Sequence, residues 1–150
     1  MSRSKRAAGV PSARRRAFVL DSQALSKTVQ GDRQMTALVK AAPRLDIAVV
    51  TSALTTLEAW NPQLGARQGL WDWALSRIDV EHTDDQVISL ARGILKTAGL
   101  HGHKYDAIDA VLAAVAVKTA KRGFEVTVFT SDADDMDKFL AGHRIRVERI

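Results

Sequence analysis

The sequence predicts a single α/β domain built on a largely parallel sheet with helices on both faces. Three short apolar runs have the length and composition of buried strands: RAFVLD at 16–21, LDIAVVT at 45–51 and FEVTVFTSD at 124–132. Helical segments lie between them, and strands that alternate with helices are typical of parallel α/β folds. No internal repeat or linker divides the 150-residue chain, so we expect one domain with its own core.

The predicted helices are bounded by glycine, proline or capping residues. The first follows Asp21 directly, and later ones end near Pro43, Pro62 and Gly99. The last segment, RIRVERI at 144–150, alternates polar and apolar residues and therefore predicts an edge strand. The helices are expected over residues 22–29, 32–42, 52–60, 64–78, 84–98, 104–121 and 133–140.

Composition excludes several classes of protein. Apolar residues make up 46% of the chain, yet no apolar run is long enough to span a bilayer, and the N-terminus lacks the apolar core of a secretory signal. Cysteine is absent, which excludes disulfides, thiolate metal ligands and a cysteine nucleophile. These features predict a soluble cytoplasmic protein with no membrane contact.

The positive charge is concentrated at the N-terminus. The formal net charge is +5, and the first twenty residues carry six basic side chains and no acidic one, so residues 21–150 have a net charge of −1. We expect residues 1–16 to form a disordered basic tail and residues 17–150 to form the folded domain. Such a tail would raise affinity for a polyanion through counterion release, or would be a solvated extension without function.

Two aspartates come directly after predicted strands. Asp21 ends the first strand and Asp132 follows the third, and in open α/β sheets ligands collect beyond the carboxyl ends of the strands. Each aspartate also precedes a helix, so a helix N-cap is the competing interpretation. Both interpretations remain open at this point.

A third aspartate begins an unusually apolar helix. In YDAIDAVLAAVAV, Asp109 is followed by two helical turns without a polar residue, which pulls this helix end toward the interior. A buried carboxylate needs a cation, a proton or hydrogen-bond donors around it. Asp106 and Asp109 would alternatively form a capping pair, with Asp106 nearer the solvent.

A glutamate completes the set of candidates. Glu58 lies on the helix after the second strand, whose apolar face is expected to include Ala53, Leu54 and Leu57. Helical side chains lean toward the N-terminus, so Glu58 can reach back toward the sheet edge. Carboxylates gathered there without His or Cys are the ligand set of Mg²⁺ or Mn²⁺.

The ordered set of motifs resembles PIN-domain ribonucleases, specifically VapC-type toxins of bacterial type II toxin–antitoxin pairs. The resemblance runs from about residue 16 to 150 and is carried by VLDSQAL, LTTLEAW, IDAVLAAVAV and VFTSDADDM. It implies a parallel five-stranded sheet between helices. The positions that match the acidic quartet of that family are Asp21, Glu58, Asp109 and Asp132, and Ser22 and Thr130 match its small hydroxyl positions. The bulky Trp60 and the N-terminal tail depart from the family pattern, and Asp106 has no fixed role in it.

The resemblance also implies an activity. Members of that family hydrolyse RNA with Mg²⁺ or Mn²⁺ and are inhibited by an antitoxin, here expected to be of the VapB type; a homodimer is also expected. Asp21, Asp109 and Asp132 would hold the ion or ions, and Glu58 would position water or a second metal. The competing interpretation is a non-catalytic regulatory subunit that acts through a complex on nucleic acid. Phosphotransfer is disfavoured, because Gln23 stands where a haloacid-dehalogenase-like enzyme has its second aspartate.

Two further features allow a structural and a functional interpretation. On the predicted helix 64–78, Trp73 belongs to a second apolar stripe, which is either a partner surface or simply covered by a neighbouring helix. The HGH motif at 101–103 is either a solvated connection or a metal or base site. Neither feature decides the function.

Overall fold

The computed structural model describes residues 14–62, 68–100 and 104–150. It contains one five-stranded sheet in which every neighbouring pair is parallel. The strand order is β3-β2-β1-β4-β5, so the first strand lies at the centre of the sheet. The strands are β1 (Arg16–Leu20), β2 (Ile47–Ser52), β3 (Asp79–Glu81), β4 (Glu125–Thr130) and β5 (Ile145–Arg149).

The helices agree with the sequence prediction to within a few residues at each described end. A short 3-10 helix, Ala42–Leu45, contains Pro43 and ends the second helix at the expected position. Within the described residues, no helix is long and apolar enough to cross a membrane. The α-helices are α1 (Ser22–Val29), α2 (Arg33–Ala41), α3 (Ala53–Ala59), α4 (Gln68–Ser76), α5 (Asp85–Ala98), α6 (Lys104–Lys121) and α7 (Ala133–Phe139).

The sheet separates two apolar clusters. Ala17 and Val19 of β1 face the cluster formed with α5, α6 and α7, whereas Phe18 and Leu20 face the cluster formed with α1, α2 and α4. This alternation is the two-residue period of a strand that is covered on both faces. On α6, residues 110–117 are all buried, as the apolar run predicted. This buried run begins directly after Asp109.

The structure corrects several details of the prediction. Strand β3 was not predicted from the residues, because it is three residues long and includes Asp79 and Glu81; it forms by pairing with residues 50–52 of β2. Leu57 was placed on the apolar face of α3, but 71% of its surface is exposed, and Thr55 and Ala59 are the buried residues of that helix. The 3.6-residue period therefore assigned the wrong face to part of this short helix.

Asp106 is not a helix cap. Helix α6 begins at Lys104, so Asp106 lies inside its first turn, and the alternative interpretation of Asp106 and Asp109 as a capping pair does not hold. Strand β1 begins at Arg16, the last residue of the predicted tail. Residues 1–13 of that tail, residues 63–67 of the predicted fourth helix and the HGH motif at 101–103 lie outside the described residues.

The second stripe of α4 is largely covered. Trp73 packs against the same apolar cluster as the buried Trp71, and the Arg77 guanidinium lies over the Trp73 ring, 5.6 Å from its centroid. Of the two interpretations of Trp73, the structure therefore favours a covered side chain. Among the described residues, the exposed large apolar side chains are Leu45, Leu57, Trp60 and Leu100. Leu57 and Trp60 lie close together in sequence, and the Trp60 ring meets Trp71 edge-on at 5.1 Å between centroids.

Candidate active site

Asp21 lies at the carboxyl end of the central strand and is 5% exposed. Its Oδ1 accepts a hydrogen bond from the Ala24 N–H at 2.7 Å, which makes it the N-cap of α1. Its Oδ2 accepts from the Ser131 N–H at 3.2 Å, from the turn after β4. Asp21 is therefore both a helix cap and a buried carboxylate that joins two adjacent strand ends, so the two interpretations of this residue are compatible.

The hydrogen bonds to Asp21 do not fully offset its burial. Burial raises the pKa of Asp21 above the usual aspartate value, and the hydrogen bonds from Ala24, Thr130 and Ser131 act in the opposite direction. Among the side chains that the structure describes, no Lys, Arg or His lies within ion-pair distance of this carboxylate. Within the part of the chain that the structure describes, Asp21 therefore has hydrogen-bond donors around it and no ion pair.

Asp109 has the largest pKa shift among the acidic residues at the carboxyl edge of the sheet. We call these acids the rim. Its pKa is raised to about 7, first because the group is largely removed from water, and then because Asp21, Glu58, Asp132 and Asp135 repel its negative charge. The four acidic residues proposed from the sequence therefore share one electrostatic neighbourhood, although they are far apart along the chain. Their catalytic role remains a prediction.

Glu58 and Asp132 form the exposed side of this neighbourhood. Glu58 lies near the end of α3, and its contribution to the Asp109 pKa agrees with a side chain that reaches toward the sheet edge. Asp132 is the N-cap of α7, since its Oδ1 accepts from the Asp135 N–H at 3.4 Å. Its own N–H donates to the Thr130 hydroxyl at 2.9 Å, so Thr130 links Asp132 to Asp21.

Asp135 is a further acidic residue of the site that the sequence analysis missed. A hydrogen bond between its carboxyl group and Asp132 is the main reason its pKa is raised, and the charges of Asp132 and Asp106 add to the effect. The sequence contains only a spacing signal, because Asp135 follows the N-cap Asp132 by three residues, and this spacing does not separate Asp135 from the other aspartates at the start of α7. Asp106, which had no assigned role, lies close enough to contribute to this negative field.

Three hydroxyl residues, Thr51, Ser52 and Thr55, lie at the end of β2 and the start of α3. Thr51 at the end of β2 donates to the Leu20 carbonyl at 2.7 Å, and the Ser52 hydroxyl caps α3 by accepting from the Thr55 N–H at 3.0 Å. All three hydroxyl residues are buried. Only Ser22 and Thr130 had been predicted as hydroxyl positions: Ser22 is half-buried at the start of α1, and Thr130 is fully buried.

The donor set suits a hard cation in charge and in atom type, because it consists of carboxylate and hydroxyl oxygens. Unpaired, mutually repelling carboxylates are the arrangement that a divalent cation stabilises. However, within residues 14–62, 68–100 and 104–150, no three acidic or histidine side chains are close enough together to hold a metal ion. The residues thus fit the chemistry of Mg²⁺ or Mn²⁺, while binding requires the side chains to draw closer.

Comparison with known proteins identifies the fold. No family model and no curated protein matches the chain. Among solved structures, it is similar to a chain of VapBC2 from Rickettsia felis bound to a promoter DNA fragment, with 12% identity, a TM-score of 0.65 and coverage of 89% of this chain and 98% of that one. It is also similar to a chain of DNA-bound VapBC from Salmonella typhimurium, with 19% identity, a TM-score of 0.60 and coverage of 89% and 98%.

A third similar chain belongs to a toxin–antitoxin complex from Klebsiella pneumoniae, with 16% identity, a TM-score of 0.55 and coverage of 85% and 94%. At these identities the likeness shows the fold. The chain has a PIN-like α/β fold, with the parallel five-stranded sheet between helices that the sequence resemblance implied.

Proposed function

We propose that this chain is a metal-dependent endoribonuclease that acts as the toxin of a toxin–antitoxin pair. The observation that supports this proposal best is the Asp109 carboxyl group, whose pKa is raised to about 7 by burial and by three other candidate site acids. Such a group, at the carboxyl edge of a parallel sheet, is where a cation and a phosphate-bearing substrate would meet. The similarity in fold to chains of toxin–antitoxin complexes supports the same proposal.

In the proposed site, Asp21, Asp109 and Asp132 hold the ion or ions, and Glu58 positions water or a second ion. The dication would lower the pKa of a bound water molecule and neutralise charge on the phosphodiester. Asp21 is the oriented ligand, because the Ala24 and Ser131 N–H groups fix both of its oxygens. Orientation of this kind tunes the geometry and affinity of a metal site.

Asp109 would couple the site to pH. With a pKa of about 7, the group is divided between its protonated and ionised forms at neutral pH when no cation is bound. A carboxylate must be ionised to ligate a metal, so cation binding would release a proton from Asp109. The activity would therefore increase between pH 6 and pH 8 at limiting cation concentration.

The proposed partners are RNA, an antitoxin of the VapB type and a second copy of this chain. Leu57 and Trp60 support a protein partner, since 71% and 44% of their surfaces are exposed on either side of Glu58 in sequence. A partner that covered these side chains would also reach the rim that contains Glu58. Burial of large apolar groups at the centre of an interface is a common source of binding energy.

Cleavage of structured RNA tests the proposed activity. The purified protein is expected to cleave RNA with Mg²⁺ or Mn²⁺ and to lose this activity in EDTA, and Asp109→Asn should reduce the rate at least about 100-fold, as expected for loss of an electrostatic contribution of about 3 kcal/mol. Asp46→Asn is the matched control: Asp46 lies at the amino end of β2, and its left-handed φ of 55° suits asparagine. Equal cleavage by the wild-type and Asp109→Asn proteins would contradict the proposal.

A non-catalytic role in a DNA-binding complex is the second candidate. Two of the similar structures are described as bound to DNA, and the described residues contain no assembled metal site. Expression of the chain in a bacterium, with and without the neighbouring reading frame, separates the two candidates. Growth arrest that appears only without the neighbour supports a toxin, whereas unchanged growth together with binding of promoter DNA supports the regulatory role.

A further inference from the structure

Arg149 is the last residue of β5 and contacts the turn that contains part of the acidic site. In the parallel pairing it lies beside Thr130, the last residue of β4. Its Nη1 donates to the Ser131 carbonyl at 3.2 Å, and its Nη2 donates to Asp134 Oδ1 at 3.3 Å. The planar guanidinium therefore spans from the end of β4 to the first turn of α7 with two hydrogen bonds in a fixed geometry.

The turn that Arg149 contacts supplies several groups to the site. The Ser131 N–H donates to Asp21, and the Asp132 N–H donates to Thr130. Arg149 thus holds the carbonyl of the same residue whose N–H binds Asp21. A side chain that fixes the Ser131 carbonyl also limits rotation of the backbone that presents Asp132.

Asp134 holds the Arg149 guanidinium in an ion pair, and this pair does not involve the candidate site carboxylates. The Arg149–Asp134 pair is an exposed ion pair, and Asp134 is not among the main causes of the raised pKa of Asp109. Among the described ion pairs, Arg149 pairs with Asp134 and with none of the four candidate site acids. Arg149 therefore restrains the turn, and the site carboxylates stay free to bind a metal cation.

We propose that Arg149 is a positioning residue of the acidic site, which acts by fixing the turn from Thr130 to Asp134. The inference rests on the proposed function in its effect on cation affinity, whereas the fixing of the turn itself is measurable without a cation. It adds a residue from the edge strand whose described side-chain contacts are to Ser131 and Asp134 and not to a proposed metal ligand. Partners that orient metal ligands typically change metal affinity by about 10- to 100-fold when they are removed.

Two variants and one matched control test this role. Arg149→Ala removes both hydrogen bonds, whereas Arg149→Lys keeps the charge but loses the two-pronged geometry. Arg146→Ala is the control, because Arg146 lies on the same strand, is also exposed and pairs with Glu148 instead of the turn. Exchange of the Ser131 amide proton is measured by NMR, and Mn²⁺ affinity is measured by titration at a temperature at which all proteins are fully folded.

We expect Arg149→Ala to accelerate exchange at Ser131 and to weaken Mn²⁺ binding about 10-fold, Arg149→Lys to lose part of both, and Arg146→Ala to change neither. A variant that melts earlier but binds Mn²⁺ like the wild type would overturn the inference, since that is the behaviour of a merely structural contact. If the wild-type protein itself binds no Mn²⁺ and cleaves no RNA, the proposed function fails. In that case the Ser131 exchange rate alone tests whether Arg149 fixes the turn, and an unchanged rate in Arg149→Ala overturns the positioning role.

Discussion

Single carboxyl groups carry most of the chemistry in this fold, and they differ because their surroundings differ. Asp21 is buried but receives backbone N–H groups at both oxygens, whereas Asp109 is surrounded by negative charge. Burial and like charges both raise a carboxyl pKa, and hydrogen bonds from N–H groups lower it. One rim therefore contains a strongly oriented acid and a readily protonated acid.

The raised pKa of Asp109 predicts how stability depends on pH. The pKa is about 7 in the folded state and about 3.8 when unperturbed, so ionisation of Asp109 opposes folding. This unfavourable contribution is absent below pH 4, grows between pH 4 and pH 7 and stays constant above that range. In EDTA, the wild type and Asp109→Asn should have the same free energy of unfolding at pH 4. At pH 8 the free energy of unfolding of Asp109→Asn should be higher by about 1–2 kcal/mol, after allowance for solvent screening.

Urea denaturation at the two pH values measures this difference, and the same experiment in Mn²⁺ provides the control. A bound cation stabilises the wild type by mass action, so the advantage of Asp109→Asn should shrink or reverse. An equal difference at pH 4 and pH 8 would show that Asp109 ionises like an ordinary surface aspartate.

At this scale the sequence predicted the candidates better than their roles. Asp21 and Asp132 were recognisable because each directly follows a strand, and the structure shows that both also cap helices. Asp135 was missed, because one carboxylate in an acidic helix start looks like another until the fold determines which of them face Asp109. The effect of each acid on the Asp109 pKa depends on its distance from that group, and the sequence does not contain these distances.

Among the elements, α6 connects the core to the rim. Its buried residues 110–117 fill the space between the sheet and α5, and Asp109 directly precedes them. The helix was predictable in extent because its apolar composition is continuous. Strand β3 was not, since a three-residue strand with two acidic side chains has no strand pattern of its own and depends on β2 for its backbone hydrogen bonds.

Truncation of Leu112 tests the role of α6 as an anchor. Leu112 is 1% exposed and lies one turn after Asp109, so Leu112→Ala should lower the free energy of unfolding by about 2–5 kcal/mol through lost contacts and the cavity left behind. Leu100→Ala is the control, because Leu100 is 37% exposed, and it should change stability by less than about 0.5 kcal/mol. Thermal and urea unfolding measure both, and similar losses in the two variants would contradict the assigned packing.

The α5–α6 side of the molecule also has an ion network that the sequence did not reveal. Lys118 lies 3.7 Å from Glu81 and 3.5 Å from Asp84, and Arg122 lies 3.0 Å from Glu81. These pairs join the short edge strand β3 and the start of α5 to the end of α6. Charges from three separate segments meet here, so the pairing depends on the tertiary fold and could not be read from local spacing.

For the whole molecule, the uneven distribution of charge along the chain predicts a contribution of the N-terminal basic residues to RNA binding. Residues 21–150 have a net charge of −1, and the basic residues of the first twenty positions supply the positive balance. An acidic rim repels RNA unless a cation is bound, so a basic segment elsewhere in the chain would offset that repulsion. Removal of residues 1–13 deletes Arg3, Lys5 and Arg6 and lowers the formal net charge from +5 to +2.

We expect this truncation to weaken RNA binding and to reduce its dependence on salt, because each lost phosphate contact lowers the slope of log affinity against log salt by about 0.7 for single strands. The measurement is a salt titration of RNA binding by Asp109→Asn with and without residues 1–13, so that cleavage does not interfere. A triple variant in which Arg3, Lys5 and Arg6 become serine is the matched control, since it keeps the length of the segment and removes only its charge. It should reproduce the truncation, and a slope that stays the same in both proteins would show that the N-terminal charges do not contact RNA.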